Sequence, residues 1–488
     1  MPIERPTSGL LVRGEATLNL PRSRLKRKRM FRLMSRKVAV PGYAPICVDS
    51  NDVDTIGCGF RKRLFRDLPE RKPSVIEALK RFTREFCEKH FDKVTAPSFE
   101  EWLDGTTYSE KRKNDLRRVH VGLHGGRPTK KECSRIKTFV KSEFYKFFKH
   151  ARMINSRCDK FKAWSGPMFK AIEHEVFKLP QFIKHTPVPE RPGKIAGLVR
   201  AGRKYYVTDY TAFESHFSSD ILDAVECELY RHCLSNYVDA EFLCQVIMGD
   251  NKMVTRSGVR AQCKGRRMSG DMCTSLGNGF TNYILGLFVA TRKGGEFDGF
   301  FEGDDGIFYS TVEMTSEDYN ELGFTIKIEE VADPRKASFC GMIFSDNGDI
   351  VRDPFRFLMG FAWTSSFTGA GQKIMDELLR AKALSACFET PQCPIVGAFA
   401  RRALKLTRHA NPRFVRDGYH TCPDEVKVER FEPSVMTREL FSQVYGISAA
   451  LQREIEACVE AGDMVGVSSL MPAHDDSQFY ATRYLEVT

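Results

Sequence analysis

The pattern of hydrophobic and polar positions is clearest in the centre of the chain. Lys204–Asp209 is a run of aromatic and β-branched residues that predicts a short buried strand. After it, Ile221, Val225 and Leu229 recur every four residues and predict a helix. Gly299–Ser310 consists of two apolar runs around Gly-Asp-Asp-Gly, which is typical of a β-hairpin. This succession of strand, helix and hairpin predicts an α+β fold.

Other segments carry patterns of the same kinds. Two further strands are predicted at Phe324–Glu329 and Ser338–Ser345, and helices at Pro73–His90, Gly270–Ala290 (after a short loop) and Lys373–Phe388. Ser74, with Glu77 three residues later, is predicted to cap the helix that starts near Pro73. From about residue 355 onward the pattern is mainly helical.

Composition limits the class of protein. The 488 residues suffice for two to four structural units, and 42% hydrophobic with 28% charged residues is a globular composition. Lys and Arg number 75 against 63 Asp and Glu, and the net charge of +12 favours a polyanionic partner such as nucleic acid or an anionic membrane surface. The 15 cysteines form no CxxC pair and no zinc-type spacing, which predicts reduced thiols in the cytosol. No signal peptide or membrane span is predicted.

A strongly basic run stands near the start of the chain. Arg22–Lys37 holds nine basic residues and no acidic one. Such a run is often a solvated arm or helix face. Contact with RNA or with anionic lipid is the alternative.

Carboxylates mark the candidate chemistry. Asp209 ends a predicted buried strand, and Asp304 and Asp305 stand in the predicted hairpin turn. Each has an ordinary interpretation as a cap or turn residue. If the strands are neighbours, however, the carboxylates converge and repel one another unless a divalent cation neutralises them. Oxygen ligands suit Mg²⁺ or Mn²⁺, and two such ions about 3.5–4 Å apart would stabilise both oxygens of a phosphoryl transfer.

A third segment adds short polar side chains. In SGDMCTSLGN, a Ser-Gly turn precedes a predicted helix on which Thr274 and Asn278 are four residues apart and share a face. These side chains can hydrogen-bond a sugar hydroxyl or orient another side chain. Ordinary capping of the helix explains the segment equally well.

The three segments TDYTAFESHF, SGDMCTSLGN and EGDDG, in this order, resemble motifs A, B and C of the RNA-dependent RNA polymerases of positive-strand RNA viruses. The SGDMxTSLGN form looks most like the tombusvirus-like and nodavirus-like group. The resemblance is clear over about residues 135–345. It implies a right-hand polymerase fold with fingers, an antiparallel palm sheet and a helical thumb. The implied division is a basic N-terminal extension at 1–60, fingers at 61–203 with a part inserted at 235–265, palm at 204–345 and thumb at 346–488.

The resemblance also implies roles for individual residues. Asp209 and Asp304 would hold two Mg²⁺ ions, or Mn²⁺, with Asp305 in support. The residues that would position the template and recognise the ribose are Ser269, Gly270, Thr274 and Asn278. Glu214 stands where the family usually has a second Asp, so it keeps an acceptor but adds a methylene group.

Three further motifs follow from the resemblance. Lys327 would protonate the pyrophosphate leaving group, unless it is an ordinary exposed strand lysine. In the segment that resembles motif F, Lys141 and Arg152 would bind the triphosphate. Glu143 would orient a neighbouring basic side chain, and Ile154 is the last residue of the match. A basic amphipathic surface helix is the alternative for that segment. The motif E match is carried by Phe339, Cys340 and Gly341.

The implied protein is an RNA-directed RNA polymerase that replicates and transcribes a viral RNA genome from NTPs. Its partners would be single-stranded template RNA, nascent RNA, other viral replication proteins and membrane-associated host factors, in the host-cell cytoplasm, at replication membranes or within the virion. A reverse transcriptase is disfavoured because Glu302 and Gly303 precede Asp304 where that family has Tyr. The alternative of another class is a non-catalytic RNA-binding or virion-associated structural protein.

Overall fold

The computed structural model describes residues 9–13, 15–21, 31–45, 48–145, 150–200, 202–411 and 432–472. The strands, β1 to β14, are Gly9–Arg13, Ala16–Leu20, Arg32–Leu33, Arg135–Val140, Met153–Arg157, Lys204–Tyr210, Asp250–Thr255, Arg260–Lys264, Phe297–Glu302, Asp305–Ser310, Ile326–Val331, Ile343–Phe344, Ile350–Val351 and Trp363–Thr364. The helices, α1 to α18, are Val53–Leu64, Pro73–His90, Phe99–Asp104, Glu110–Val121, Lys130–Cys133, Asp159–Val176, Arg191–Ala196, Ser219–Leu222, Glu228–Cys233, Tyr237–Ile247, Thr274–Arg292, Ser316–Asn320, Pro354–Phe361, Gln372–Glu389, Val396–Leu406, Val435–Tyr445, Ala449–Ala461 and Met464–Leu470. The α+β fold predicted from the sequence is confirmed.

A six-stranded sheet has the strand order β1-β2-β8-β7-β4-β5. Its strands alternate buried and exposed residues, as expected when only one face is covered. The covered face packs on α1 through an apolar cluster that includes Leu18, Phe60, Ile136 and Met253. One layer is therefore built from three parts of the chain, namely β2 near the N-terminus, the strands of 135–157 and the strands of 250–264.

The second sheet is central and fully antiparallel, with the order β11-β6-β10-β9. Stacked rings of Tyr206, Phe301 and Phe308 cover its inner face. They belong to the largest apolar cluster, which also contains residues of α2, α6 and α11. This packing fixes the ends of β6 and β10 relative to α11.

The C-terminal helices α13 to α18 form a third apolar cluster. Tyr43, from near the N-terminus, and Tyr145, from the loop between β4 and β5, are buried in the same cluster. The chain therefore folds back so that early segments stabilise its C-terminal part. No helix in the ranges that the structure describes is long and apolar enough to cross a bilayer.

Two local predictions were wrong. The helix Pro73–His90 was predicted with the correct bounds, but its N-cap is Lys72, with proline as the first helical residue and no side-chain cap. Ser74 is thus already inside the first turn. In Ser338–Ser345, a tight turn replaces most of the predicted strand because Cys340 and Gly341 have φ angles of 53° and 73°.

Candidate active site

Two neighbouring strands of the central sheet end side by side with aspartates. β6 and β10 are antiparallel, with Thr208 opposite Gly306. Asp209 follows on β6, and Asp305 is the first residue of β10. The register therefore sets Asp209 beside Asp305, whereas the sequence analysis expected Asp304 to be its neighbour.

The β9–β10 turn presents the remaining aspartate. Asp305 pairs with Glu302, so Gly303 and Asp304 form the turn between them. Gly303 has a φ of 64°, a conformation that glycine adopts without steric cost. The turn lies two residues earlier than the Asp305-Gly306 pair suggests, and Asp304 is consequently exposed at its tip.

The carboxyl of Asp305 lies where negative charge is crowded. Although its side chain reaches solvent, surrounding protein removes much of its hydration, and this desolvation raises its pKa to about 7. The carboxylates of Asp304, Asp209 and Glu302 act in the same direction. The strand register places these carboxylates, from β6, β9, β10 and the β9–β10 turn, at the same end of the sheet.

The donor set suits a hard divalent cation. Asp209, Asp304 and Asp305 offer only oxygen atoms, the ligands that Mg²⁺ and Mn²⁺ prefer. Across the described ranges, no three His, Cys, Asp or Glu side chains are already arranged as a cation site. The three aspartates are neighbours that do not converge on one point, which is the arrangement that like charges favour.

Helix α11 carries polar side chains on the face next to this sheet end. The hydroxyl of Thr274 donates to the carbonyl oxygens of Met268 and Asp271, at 3.1 and 2.8 Å, and so holds the preceding loop. One turn later, the buried Oδ1 of Asn278 has no hydrogen-bond partner among the residues that the structure describes. An unpaired buried acceptor is costly, and a ligand hydroxyl would satisfy it.

Asn282 is a residue that the sequence analysis missed. Its buried Nδ2 donates to the carbonyl oxygens of Gly303 and Asp305, at 3.3 and 3.2 Å. It therefore fixes the aspartate turn on α11. The signal was available, because Thr274, Asn278 and Asn282 continue one four-residue spacing.

The loop before α11 lies against β5. Ser269 donates its hydroxyl to the carbonyl oxygen of Met153 at 2.9 Å. A Cβ atom on Gly270 would come within 2.7 Å of the Ile154 side chain, so only glycine fits there. In this structure the Ser269 hydroxyl holds the loop.

A buried ion pair completes that contact. The guanidinium of Arg157 lies 2.9 Å from the carboxylate of Asp271, and the two side chains are only 1% and 3% exposed. Nη1 donates to the carbonyl oxygen of Cys133, and Nη2, which also binds Asp271, donates to Oδ1 of Asn251. Neither member of this pair was singled out from the sequence, because their contact joins residues 114 positions apart.

In the described part of the basic segment, Val140 ends β4, residues 141–145 and 150–152 are loop, and Met153 begins β5, so these residues form no surface helix. The Lys141 ammonium and the Arg152 guanidinium lie 3.2 and 3.4 Å from the carboxylate of Glu143. Burial favours the neutral acid, but the hydrogen bond from Tyr145 and the two cations outweigh it and lower the pKa of Glu143. Glu143 thus holds both basic side chains at one place.

Glu214 is ion-paired with Arg63 of α1. Burial lowers the pKa of Arg63 to about 10, and the nearby Arg152 adds to this effect, whereas Glu143 and Asp304 oppose it. Arg63 therefore lies among the predicted site residues, although it precedes them by far in sequence. The close approach of α1 requires glycine at position 59, because a Cβ atom there would lie only 2.2 Å from the carbonyl oxygen of Ala151.

Lys327 lies on β11 directly opposite Asp209. Its side chain is 73% exposed and pairs with Glu329, 3.1 Å away. Because directly paired residues point to the same face, Lys327 shares a face of the sheet with Asp209 but contacts none of the three aspartates here.

The Cys340–Gly341 turn, where the motif E residues lie, packs beside the aspartates. The Cys340 thiol donates to the carboxylate of Glu302 at 3.7 Å. Arg191 binds the same carboxylate at 2.7 Å. The turn is therefore tied to the last residue of β9. Much of the basic run Arg22–Lys37, namely 22–30, lies outside the described residues.

Comparison with known proteins gives a consistent result. Residues 207–442 match the family model described as viral RNA dependent RNA polymerase. The RNA-directed RNA polymerase of groundnut rosette virus (strain MC1) is 25% identical over 362 residues, which cover 68% of this chain and 42% of that protein. That of tobacco necrosis virus (strain A) is 26% identical over 275 residues, covering 51% and 37%.

A relative from a fish virus is similar at the same level. The RNA-directed RNA polymerase of greasy grouper nervous necrosis virus is 24% identical over 290 residues, which cover 54% of this chain and 28% of that protein. The chain thus spans less than half the length of each of these relatives.

Proposed function

We propose that this chain, whose residues 207–442 match the family model of viral RNA dependent RNA polymerases, copies single-stranded RNA by adding nucleoside monophosphates from NTPs to an RNA 3′-OH, as the names of its relatives also suggest. Pyrophosphate leaves in each step. The observation that carries the proposal is the meeting of Asp209, Asp304 and Asp305 at one end of the central sheet. A viral polymerase of this kind depends on divalent metal and acts in the infected host cell.

The proposed architecture is a right hand. The fingers would contain the six-stranded sheet, including the inserted strands β7 and β8, the palm would contain the central sheet with α11, and the thumb would be helices α13 to α18. The proposed bounds are 61–203 with 235–265 for the fingers, 204–345 for the palm and 346–488 for the thumb. Within the predicted extension 1–60, β2 adds to the fingers sheet and Tyr43 packs with the thumb helices.

Asp209 and Asp304 would hold two Mg²⁺ or Mn²⁺ ions, with Asp305 in support. Bound there, the ions stabilise the charge on the attacking and leaving oxygens. The protein contributes by positioning: α11 fixes the aspartate turn through Asn282. The protein would also stabilise the charge of the transition state, because phosphoryl transfer depends mainly on positioning and electrostatic stabilisation.

The incoming nucleotide would bind between the fingers and the aspartates. Lys141 and Arg152, oriented by Glu143, would bind the triphosphate. Arg63 lies close enough to Arg152 to join them. Lys327 would protonate pyrophosphate after its side chain leaves Glu329.

Ribose and template contacts would come from the loop and the first turns of α11. The unpaired Oδ1 of Asn278 can accept a hydrogen bond from the ribose 2′-OH. Glu214, held by Arg63, is the second acceptor. Ser269, Gly270 and Thr274 would set the loop beside the template.

Asn278→Ala is expected to lower the preference for NTP over 2′-deoxy-NTP by about tenfold or more, because the site loses its acceptor for the hydroxyl. The preference is measured as the ratio of the two kcat/KM values. Glu214→Gln is the companion variant. An unchanged ratio for Asn278→Ala with a reduced ratio for Glu214→Gln would assign the role to Glu214.

Asn282→Leu is expected to slow incorporation about 10- to 100-fold at saturating NTP, because the aspartate turn loses both hydrogen bonds to α11 and moves. RNA affinity should stay within about twofold of wild type. Single-turnover kinetics measures the rate. The control is Thr281→Val, at the neighbouring buried position, whose hydroxyl has no hydrogen-bond partner within the described ranges. This variant should retain nearly full activity.

Template-directed synthesis is the experiment that tests the function. The protein is incubated with Mg²⁺ or Mn²⁺, a primed homopolymeric RNA template and one labelled NTP at a time. The proposal predicts that only the complementary NTP is incorporated. RNA binding without incorporation on any primed template would favour the non-catalytic RNA-binding alternative. Two further predictions concern the setting of the reaction. The other partners would be viral replication proteins and membrane-associated host factors, and the site of action would be replication membranes or the virion.

A further inference from the structure

The six-stranded sheet has one face that no described helix covers. α1 packs on the opposite face, so the alternate residues of β4, β7 and β8 on this face are exposed. We call it the open face. Its charged residues are Arg135, Lys137, Lys252, Arg260, Lys264 and Asp250.

The strand register groups these side chains into rows. Arg135 lies opposite Lys252, which lies opposite Gln262. In the next row, Lys137 lies opposite Val254, which lies opposite Arg260. Neighbouring strands are about 4.8 Å apart, so the cations form a continuous field across the sheet.

The charge on the open face is unbalanced. It has five basic residues and one acidic residue, and none of the five has a carboxylate within ion-pair distance among the described residues. Like charges this near to one another repel, which disfavours the folded protein. A polyanion bound across the face would remove that repulsion.

Apolar side chains lie among the cations. Phe139 is 49% exposed and Val254 is 47% exposed. Phe139 lies opposite Ile154, at the β5 edge of the sheet. An exposed aromatic ring among basic residues on a sheet is the combination that binds single-stranded nucleic acid, by stacking and by phosphate contacts.

The open face leads to the candidate active site. Its edge strand β5 carries Ile154, whose side chain lies against Gly270. The adjacent Ser269 is hydrogen-bonded to Met153 of the same strand. A strand of RNA lying across the face toward β5 would therefore arrive at the loop that precedes α11.

We propose that the open face binds the single-stranded template RNA before it reaches the aspartates, through phosphate contacts of Lys137, Lys252 and Arg260 and stacking of one base on Phe139. The template role rests on the proposed polymerase function. The contacts are independent of base sequence, because a template of any sequence must pass.

The first test removes the charge. The triple variant is Lys137→Gln/Lys252→Gln/Arg260→Gln. The control, Arg81→Gln/Lys89→Gln/Lys405→Gln, alters three exposed basic residues elsewhere. Each variant removes three positive charges. Binding of end-labelled oligouridylate is followed by fluorescence anisotropy over a range of salt concentrations. The slope of log K against log salt should fall by about 2 in the first variant only. Equal slopes for the two variants would overturn the proposal.

The second test concerns the ring. Phe139→Leu should weaken oligouridylate binding about tenfold, and Phe139→Trp should restore it, because stacking requires an aromatic face. If leucine binds RNA as well as phenylalanine does, the stacking assignment is wrong. Vesicles of phosphatidylserine and phosphatidylcholine provide a third measurement. Loss of vesicle binding with full RNA affinity in the triple variant would assign the face to a membrane.

Activity separates this inference from the proposed function. At saturating primed template, the triple variant should keep the wild-type rate and the wild-type KM for NTP, while the template concentration for half-maximal rate rises. If the wild-type protein binds oligouridylate through the open face but incorporates no nucleotide, the proposed polymerase activity is contradicted. The proposal that the open face binds RNA is then still supported. An active protein whose template dependence is the same in the triple variant would contradict the template role.

Discussion

Replacing Asp304 by asparagine is expected to slow nucleotide incorporation by at least about a thousandfold, because an amide cannot supply the charge that holds a divalent cation, and such a cation contributes several kcal/mol to phosphoryl transfer. Asp209→Asn should have an effect of the same size. Both side chains are exposed at the sheet end, so neither change should unfold the protein. Single-turnover extension of a primed template measures the loss.

The control for this prediction is Glu454→Gln, which removes an exposed carboxylate from α17. It should leave the rate unchanged. RNA affinity, measured alongside, should be the same in all variants within about twofold, since RNA binds mainly through basic side chains. If Asp304→Asn kept incorporation within about tenfold of wild type, the sheet end would not be the catalytic centre.

Arg157→Met is expected to lower the free energy of unfolding of the protein by about 3–5 kcal/mol, because it leaves the buried carboxylate of Asp271 without its cation. Asp271→Leu should cost a similar amount. Chemical denaturation followed by tryptophan fluorescence is suitable, since Trp102 and Trp164 lie in or beside the clusters that contact α6.

The double variant Arg157→Met/Asp271→Leu provides the decisive comparison. Apolar residues of similar size should recover most of the lost stability, since no unpaired charge remains. The matched control is Arg112→Met, which breaks the part-exposed pair with Asp159 and should cost no more than about 1 kcal/mol. A loss of the same size for Arg112→Met and Arg157→Met would show that burial of the pair does not determine its importance.

Local patterns in the sequence predicted the elements of the site well. β6 was predicted to within one residue at its end, because aromatic and β-branched residues favour a buried strand. The hairpin and α11 followed from the turn residues and from the change to helical spacing. The encounter of Asp209 with the hairpin depended on the order of strands in the sheet, which periodicity alone does not fix.

The misses have physical causes. The Ser338–Ser345 strand was wrong because the left-handed conformations of Cys340 and Gly341 reverse the chain, and cysteine gives no sign of this in a sequence. Arg63 was missed because its pairing with Glu214 depends on the packing of α1 on the six-stranded sheet. Asn282 was missed for another reason, since its spacing was visible but its role depends on the turn beneath it.

The central claim is that the three aspartates form the metal site of a polymerase. Binding of Mn²⁺, followed by electron paramagnetic resonance in the presence of an NTP, tests it without any turnover. The protein–NTP complex should bind Mn²⁺ at least about tenfold more weakly in Asp209→Asn and Asp304→Asn than in wild type, with Glu454→Gln unchanged. Equal Mn²⁺ affinity in wild type and in both aspartate variants would contradict the account.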